Sequence, residues 1–185
     1  TDDAPSANRQ LLMPGFRALR APATEAFDFQ FELIGQFGHS HESANIKDNT
    51  ELSHLAFSAH ASTGYQFGAQ WKPRLVVQYD YGSGDRSAKD GMNNRFDPLF
   101  GSRRFDFGST SMFGASSRSN ISSPAIRLEV QPHDTMDAYI AYRPMWLASS
   151  RDAWAVAGQR DPSGQSGSFI GQQIEMLKYH ANTTS

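Results

Sequence analysis

Phe27-Asp28-Phe29-Gln30-Phe31-Glu32-Leu33-Ile34-Gly35-Gln36-Phe37 is the stretch that decides the fold. Its odd positions are apolar apart from Gly35, and its even positions are polar apart from Ile34. Period-two alternation sends successive side chains to opposite faces of an extended chain, whereas a helix would smear both sets around its axis. The stretch therefore reads as a strand with one apolar and one wet face.

The same pattern recurs downstream. Leu55, Phe57, Ala59, Ala61, Tyr65 and Phe67 alternate with His54, Ser58, His60, Ser62 and Gln66. Trp71, Leu75, Val77, Tyr79 and Tyr81 alternate with Lys72, Arg74, Gln78 and Asp80. Ile126, Leu128 and Val130 oppose Arg127, Glu129 and Gln131, while Met136, Ala138, Ile140, Tyr142 and Trp146 oppose Asp137, Tyr139, Ala141 and Arg143. A last run sets Ile170, Ile174 and Met176 against Gln173 and Glu175. The spacing predicts strands at about 26–37, 55–67, 71–81, 125–131, 136–147 and 169–179. A polar N-terminal segment (1–25) holds the end of a further strand at Gly15–Arg20, and 181–185 is a polar tail.

Several of these strands run to about 11–13 residues, twice the roughly 5–6 usual in soluble sheets. A tilted strand crossing a bilayer needs about 9–11. The connections alternate between short (68–70, 132–135) and long (38–52, 82–124, 148–168), as in an antiparallel meander with tight turns on one side of a membrane. A structureless loop as long as 82–124 argues against a compact soluble domain. Aromatic residues cluster near the strand ends, where interfacial girdles sit.

Composition agrees. The chain is 38% hydrophobic and 19% charged, with 13 Phe and 15 Gly, against roughly 45–50% and about 25% in a typical soluble domain. That mix speaks against a helical bundle, a coiled coil or a charged disordered tail. The net charge is −2 with no block of one sign, so no nucleic-acid partner is expected. Cysteine is absent, which removes thiolate metal sites, disulfides and cysteine catalysis. No run of about 18 apolar residues forms a transmembrane helix, and a β-barrel needs none. The fold expected is all-β, an antiparallel transmembrane β-barrel meander over 26–180 with long external loops. Six or seven strands are fewer than the roughly eight of the smallest single-chain barrels, so the expectation is a segment of a larger barrel.

Tyr79-Asp80-Tyr81-Gly82-Ser83-Gly84-Asp85, Asn94-Arg95-Phe96-Asp97-Pro98-Leu99-Phe100-Gly101, Ser119-Asn120-Ile121, Tyr142-Arg143-Pro144-Met145-Trp146, Asp152-Ala153-Trp154 and Gly167-Ser168-Phe169-Ile170-Gly171, in that order, resemble the bacterial alginate-export family of outer-membrane porins. The resemblance covers about residues 27–175. It implies a monomeric barrel in a Gram-negative outer membrane, of which this chain is the C-terminal part. It also implies passive export of an anionic polysaccharide and no covalent chemistry. The implied partners are the bilayer and an anionic solute; the residues themselves point to no cofactor and no metal, since His39 and His41 stand in a loop without a carboxylate and His54 and His60 are too far apart to share an ion.

A pore acts through its lining. The polar strand faces offer Lys72, Arg74, Arg127 and Arg143 as cations, with Asp80, Glu129 and Asp137 among the anions. Arg127 and Arg143 fall on neighbouring strands as a cationic step that Asp80 and Glu129 would hold. Arg suits a uronate carboxylate because its fork binds bidentately. The plain structural alternative is that these charges only satisfy one another. In the long loop, Phe96, Leu99, Phe100, Phe105 and Phe107 form an apolar handle, so Asp97, Arg103 and Arg104 are candidate constriction residues. Two other functions compete: a porin for another small solute, and a soluble β-sandwich that binds carbohydrate. The sandwich would bury the Phe27/Phe29/Phe31 face.

Overall fold

A computed structural model describes residues 9–41, 50–87, 89–98 and 117–180. The described strands are β1 (Arg9–Leu12), β2 (Gly15–Arg20), β3 (Ala26–His41), β4 (Glu51–Gln66), β5 (Arg74–Gly82), β6 (Met92–Asn93), β7 (Ile121–His133), β8 (Met136–Trp146) and β9 (Phe169–His180). They form one sheet in the order β1-β3-β4-β5-β7-β8-β9, with β2 also on β3 and β6 on β4. Every pairing is antiparallel except the short β6, which runs parallel to β4. The sheet does not close: β1/β2 form one edge and β9 the other. This is the all-β meander that the alternation predicts.

Register carries the alternation across the whole sheet. Tyr65 pairs with Leu75, Leu75 with Leu128, Leu128 with Ile140, and Ile140 with Met176. One face is therefore a continuous apolar surface, and Phe27, Phe29, Phe31, Leu33, Leu55, Phe57, Val77, Ile126, Tyr142 and Ile174 on it are all exposed. Buried positions are largely polar instead, among them Asp28, Gln36, Asp80, Ser123 and Glu175. That inversion is the arrangement of a wall whose apolar side meets lipid. No second sheet among the described residues covers the apolar face, so the sandwich alternative is not what the chain forms.

Aromatic contacts gather at two levels. Tyr65 lies 4.8 Å from Phe27 and 4.9 Å from Phe67 at the short-turn end. At the opposite end Phe57 stacks on Tyr81 at 5.1 Å, and Trp146 meets Phe169 at 5.6 Å. Tyr65 and Phe57 are eight residues apart on β4, which at about 3.3 Å per residue is roughly 26 Å, close to the ~25 Å apolar band of an outer-membrane barrel.

Element bounds differ from expectation at particular residues. β3 and β4 run further into the 38–52 connection, because Gly38 is not a stop. A Cβ there would sit 2.0 Å from the Gln10 carbonyl oxygen, so the glycine admits close approach of β1. β5 begins at Arg74, not at 71. Trp71 and Lys72 have φ of 69° and 44°, and the Lys72 amide closes a turn on the Ala69 carbonyl at 3.0 Å. Pro73, which cannot donate to a ladder, marks that break. β7 extends back to Ile121 through Pro124. The β7–β8 register is unbroken from Ser122↔Trp146 to Ile126↔Tyr142 and shifts only between Val130 and His133, so Pro124 falls opposite Pro144. Both missing donors thus fall on one rung, and Ser123 Oγ donates to the Pro144 carbonyl at 3.1 Å.

Candidate functional site

The face opposite the apolar one is termed inner here, since the connections fold over it. Along β3 it carries Asp28, Glu32 and Gln36, and along β4 His54, His60 and Gly64. β5 adds Arg74 and Asp80; β7, Arg127 and Glu129; β8, Asp137, Tyr139 and Arg143; β9, Glu175. Three layers of ion pairs stack on it from the short turns upward.

The lowest layer is a chain of side chains from five strands that crosses a sixth, β4. Arg74 grips Asp28 at 2.5 and 2.9 Å and reaches Glu129 Oε2 at 2.6 Å. Asp28 is on β3, two strands away, and the guanidinium crosses β4 at Gly64. A Cβ at Gly64 would lie 2.8 Å from Asp28 Oδ2 and 2.9 Å from Arg74 Nε. Only the absence of that carbon leaves the passage open. Glu129 Oε1 lies 2.8 Å from Arg127 Nε, and the Arg127 guanidinium sits over the Tyr139 ring at 5.6 Å. The Tyr139 hydroxyl donates to Glu175 at 2.5 Å. Among the described residues nothing hydrogen-bonds the two Nη groups of Arg127. Arg127 lines a cavity of about 460 Å³ together with Lys72, Arg74, Glu129, Asp137 and Tyr179.

The middle layer centres on Asp80. It accepts from His60 Nδ1 at 2.7 Å, Arg143 Nη1 at 2.6 Å and Gln78 Nε2 at 2.6 Å. The upper layer joins wall to loops. Arg118 pairs with Glu32 at 2.9 Å. Gln36, 0% exposed, accepts from the Asp97 amide at 2.8 Å and donates Nε2–H to the Asp97 carbonyl at 2.6 Å. That fixes Gln36 Oε1 as an acceptor, so His54 Nε2, 3.3 Å away, carries its ring proton. The Asp97 carboxylate pairs with Arg9.

Two long connections are then tied together by Asp152, which is 1% exposed. Arg95 donates to both its oxygens, and the Asp85 amide to Oδ2 at 2.7 Å. The Asp152 hydrogen bond raises the Arg95 guanidinium above its ordinary value, against the opposing pull of burial. Asn120 adds a second tie, donating to the Ser149 and Ala153 carbonyls at 3.1 and 3.0 Å and accepting from the Ser149 amide at 2.7 Å. Its φ of 50° suits asparagine better than most residues.

Arg74, Asp80, Arg127, Glu129, Asp137 and Arg143 all lie on the inner face. Asp80 holds Arg143, and Glu129 contacts Arg127. Lys72 is the exception. It sits in the 67–73 turn, where its Nζ donates to Gln131 at 2.8 Å, because the chain turns before the strand begins. Asp97 lies against the inner wall. Arg103 and Arg104 lie outside the described residues. Sequence reading missed Gly64, Gln36, Tyr139 and the Asp152–Asn120 ties, which depend on contacts between distant strands and loops. Their one visible signal is that Asn120, Asp152, Asp85 and Arg95 stand in the very segments that carry the family resemblance.

No curated protein matches the chain. The family model described as alginate export matches residues 3–184, nearly the full length. On that match, the chain belongs to the alginate-export family, a family of transport proteins rather than enzymes.

Proposed function

We propose that this chain forms part of the wall of an outer-membrane porin that passively conducts an anionic, alginate-like polysaccharide. The β1/β2 and β9 edges pair with further strands to close the barrel, and the inner face lines the solute path. The observation that carries the reading is Arg127. Most inner-face cations are engaged by carboxylates; Arg127 meets Glu129 through Nε and lines a cavity beside Lys72. A uronate carboxylate could take both Nη–H groups, while Glu129 and the Tyr139 ring keep the guanidinium in place. One such contact per sugar is weak enough for a polymer to move on. Asp97 narrows the path from the loop side.

Reversal potentials in planar bilayers test this. Arg127→Ala should lower anion preference clearly, and Arg143→Ala less, because Asp80 already engages Arg143. Unchanged reversal potentials in both variants remove these residues from the path. Block of the current by uronate oligomers that strengthens with chain length supports a polymer. Equal block by monomer and oligomer favours a porin for a smaller solute.

A further inference from the structure

We infer that the described residues of the 83–98 segment (83–87 and 89–98) are a fixed part of the barrel wall and constriction, fastened by Gln36, and not a gate that swings clear. β4 overshoots β5: Gly82, the last residue of β5, pairs with Ser58, so the edge of β4 from 51 to 57 has no β5 beside it. An open strand edge in a membrane wall leaves backbone groups without partners. The 83–98 segment takes up that edge. The Ser83 amide donates to the Phe57 carbonyl at 2.9 Å, and the Phe57 amide to Ser83 Oγ at 3.0 Å. Asn94 Nδ2 donates to the Leu55 carbonyl at 3.0 Å, and the Ser53 amide to the Gly91 carbonyl at 3.0 Å. β6 supplies a parallel rung at Ser53↔Met92 and His54↔Asn93.

From there the segment turns over the inner face. Phe96 is 2% exposed, and its amide donates to the Ser83 carbonyl at 2.9 Å. Next comes the Gln36 clamp. A primary amide that accepts from the N–H and donates to the C=O of one residue imitates a strand neighbour, and it does so from the wall of β3. Arg95 on Asp152 and Arg160 on Asp85, the latter at 3.2 Å, then tie the segment to the 147–168 connection. Release would break these bonds together and leave Gln36, a fully buried polar group, with only the His54 ring and the Met13 sulfur in place of its two strong bonds to Asp97. Gln36 is therefore a positioning residue for the constriction.

The fastening rests on geometry alone. The word constriction rests on the proposed solute path, and the experiment separates the two. Amide exchange is followed by mass spectrometry on the whole protein in detergent micelles, for wild type and Gln36→Leu. In wild type, peptides over 94–98 should be as protected as β4. Gln36→Leu should speed their exchange about tenfold or more and leave β3 and β4 unchanged. Wild-type exchange over 94–98 as fast as over 162–167 overturns the inference, even if the variant misfolds. Unchanged protection in Gln36→Leu removes Gln36 as the fastener. In bilayers, Gln36→Leu should raise single-channel conductance. Unchanged conductance despite lost protection shows that the segment is wall but not constriction. A wild type that carries no current overturns the solute path and leaves the exchange result to decide the fastening.

Discussion

Gly64 matters for the atom it lacks. Arg74 and Asp28 stand on strands separated by β4, and the gap at Gly64 lets them meet. Gly64→Ala should displace Arg74 and lower the urea midpoint of unfolding in detergent. Arg74→Met should cost more, about 3–5 kcal/mol, because it leaves the buried Asp28 carboxylate uncompensated. An unchanged midpoint for both would mean the layer is not part of what holds the wall. Outside the strands, Asp161 shows how local chemistry fixes a turn. Hydrogen bonds from Ser163 and Ser166, hydroxyl and amide, hold its carboxyl well below the usual carboxylate range. A carboxyl lowered on folding contributes stability above its unfolded value and loses it as pH falls through the folded one. The Ser163 and Ser166 amide resonances should thus stay constant on acidification through pH 4. A shift centred near pH 4 would contradict this cap.

At the scale of the element, each strand is written in period two and the turns are written in Pro and Gly. The alternation of Phe27–Phe37 survives intact in β3, and so does that of β4, β5 and β8. What was not legible were the places where one residue type has two meanings. Gly38 reads as a stop and is a close approach to β1. Pro73 falls inside the strand expected over 71–81 and is the end of a turn. Pro124 reads as a boundary and lies inside β7, because Pro144 shares its rung. The faces themselves can be challenged. Phe29→Arg would put a cation on the apolar side of β3, at a cost of roughly 2–4 kcal/mol near the midplane. Folding yield into lipid vesicles, read by the heat-dependent shift on a denaturing gel, should fall. The same change at Gln30, on the inner face, should leave the yield near wild type. Equal yields would mean that the faces are reversed.

For the molecule as a whole, the inner face is close to charge-balanced, layer by layer. Charge counting along the sequence found the members of this face but not their pairing, because pairs such as Arg74–Asp28 and Arg143–Asp80 join strands far apart in the chain. The same holds for the ties between loops: Asp152 is one aspartate among many until Arg95 and the Asp85 amide converge on it. The central claim is a two-faced wall, lipid on one side and a solute path on the other. The chain has no cysteine, so single cysteines can be placed at each position from 27 to 37 and labelled with an environment-sensitive fluorophore in vesicles. Lipid-borne quenchers should act on the odd positions and water-soluble quenchers on the even ones, with the buried positions 28 and 36 shielded from both. Quenching that does not alternate, or water-soluble quenching on both sets, would contradict the account.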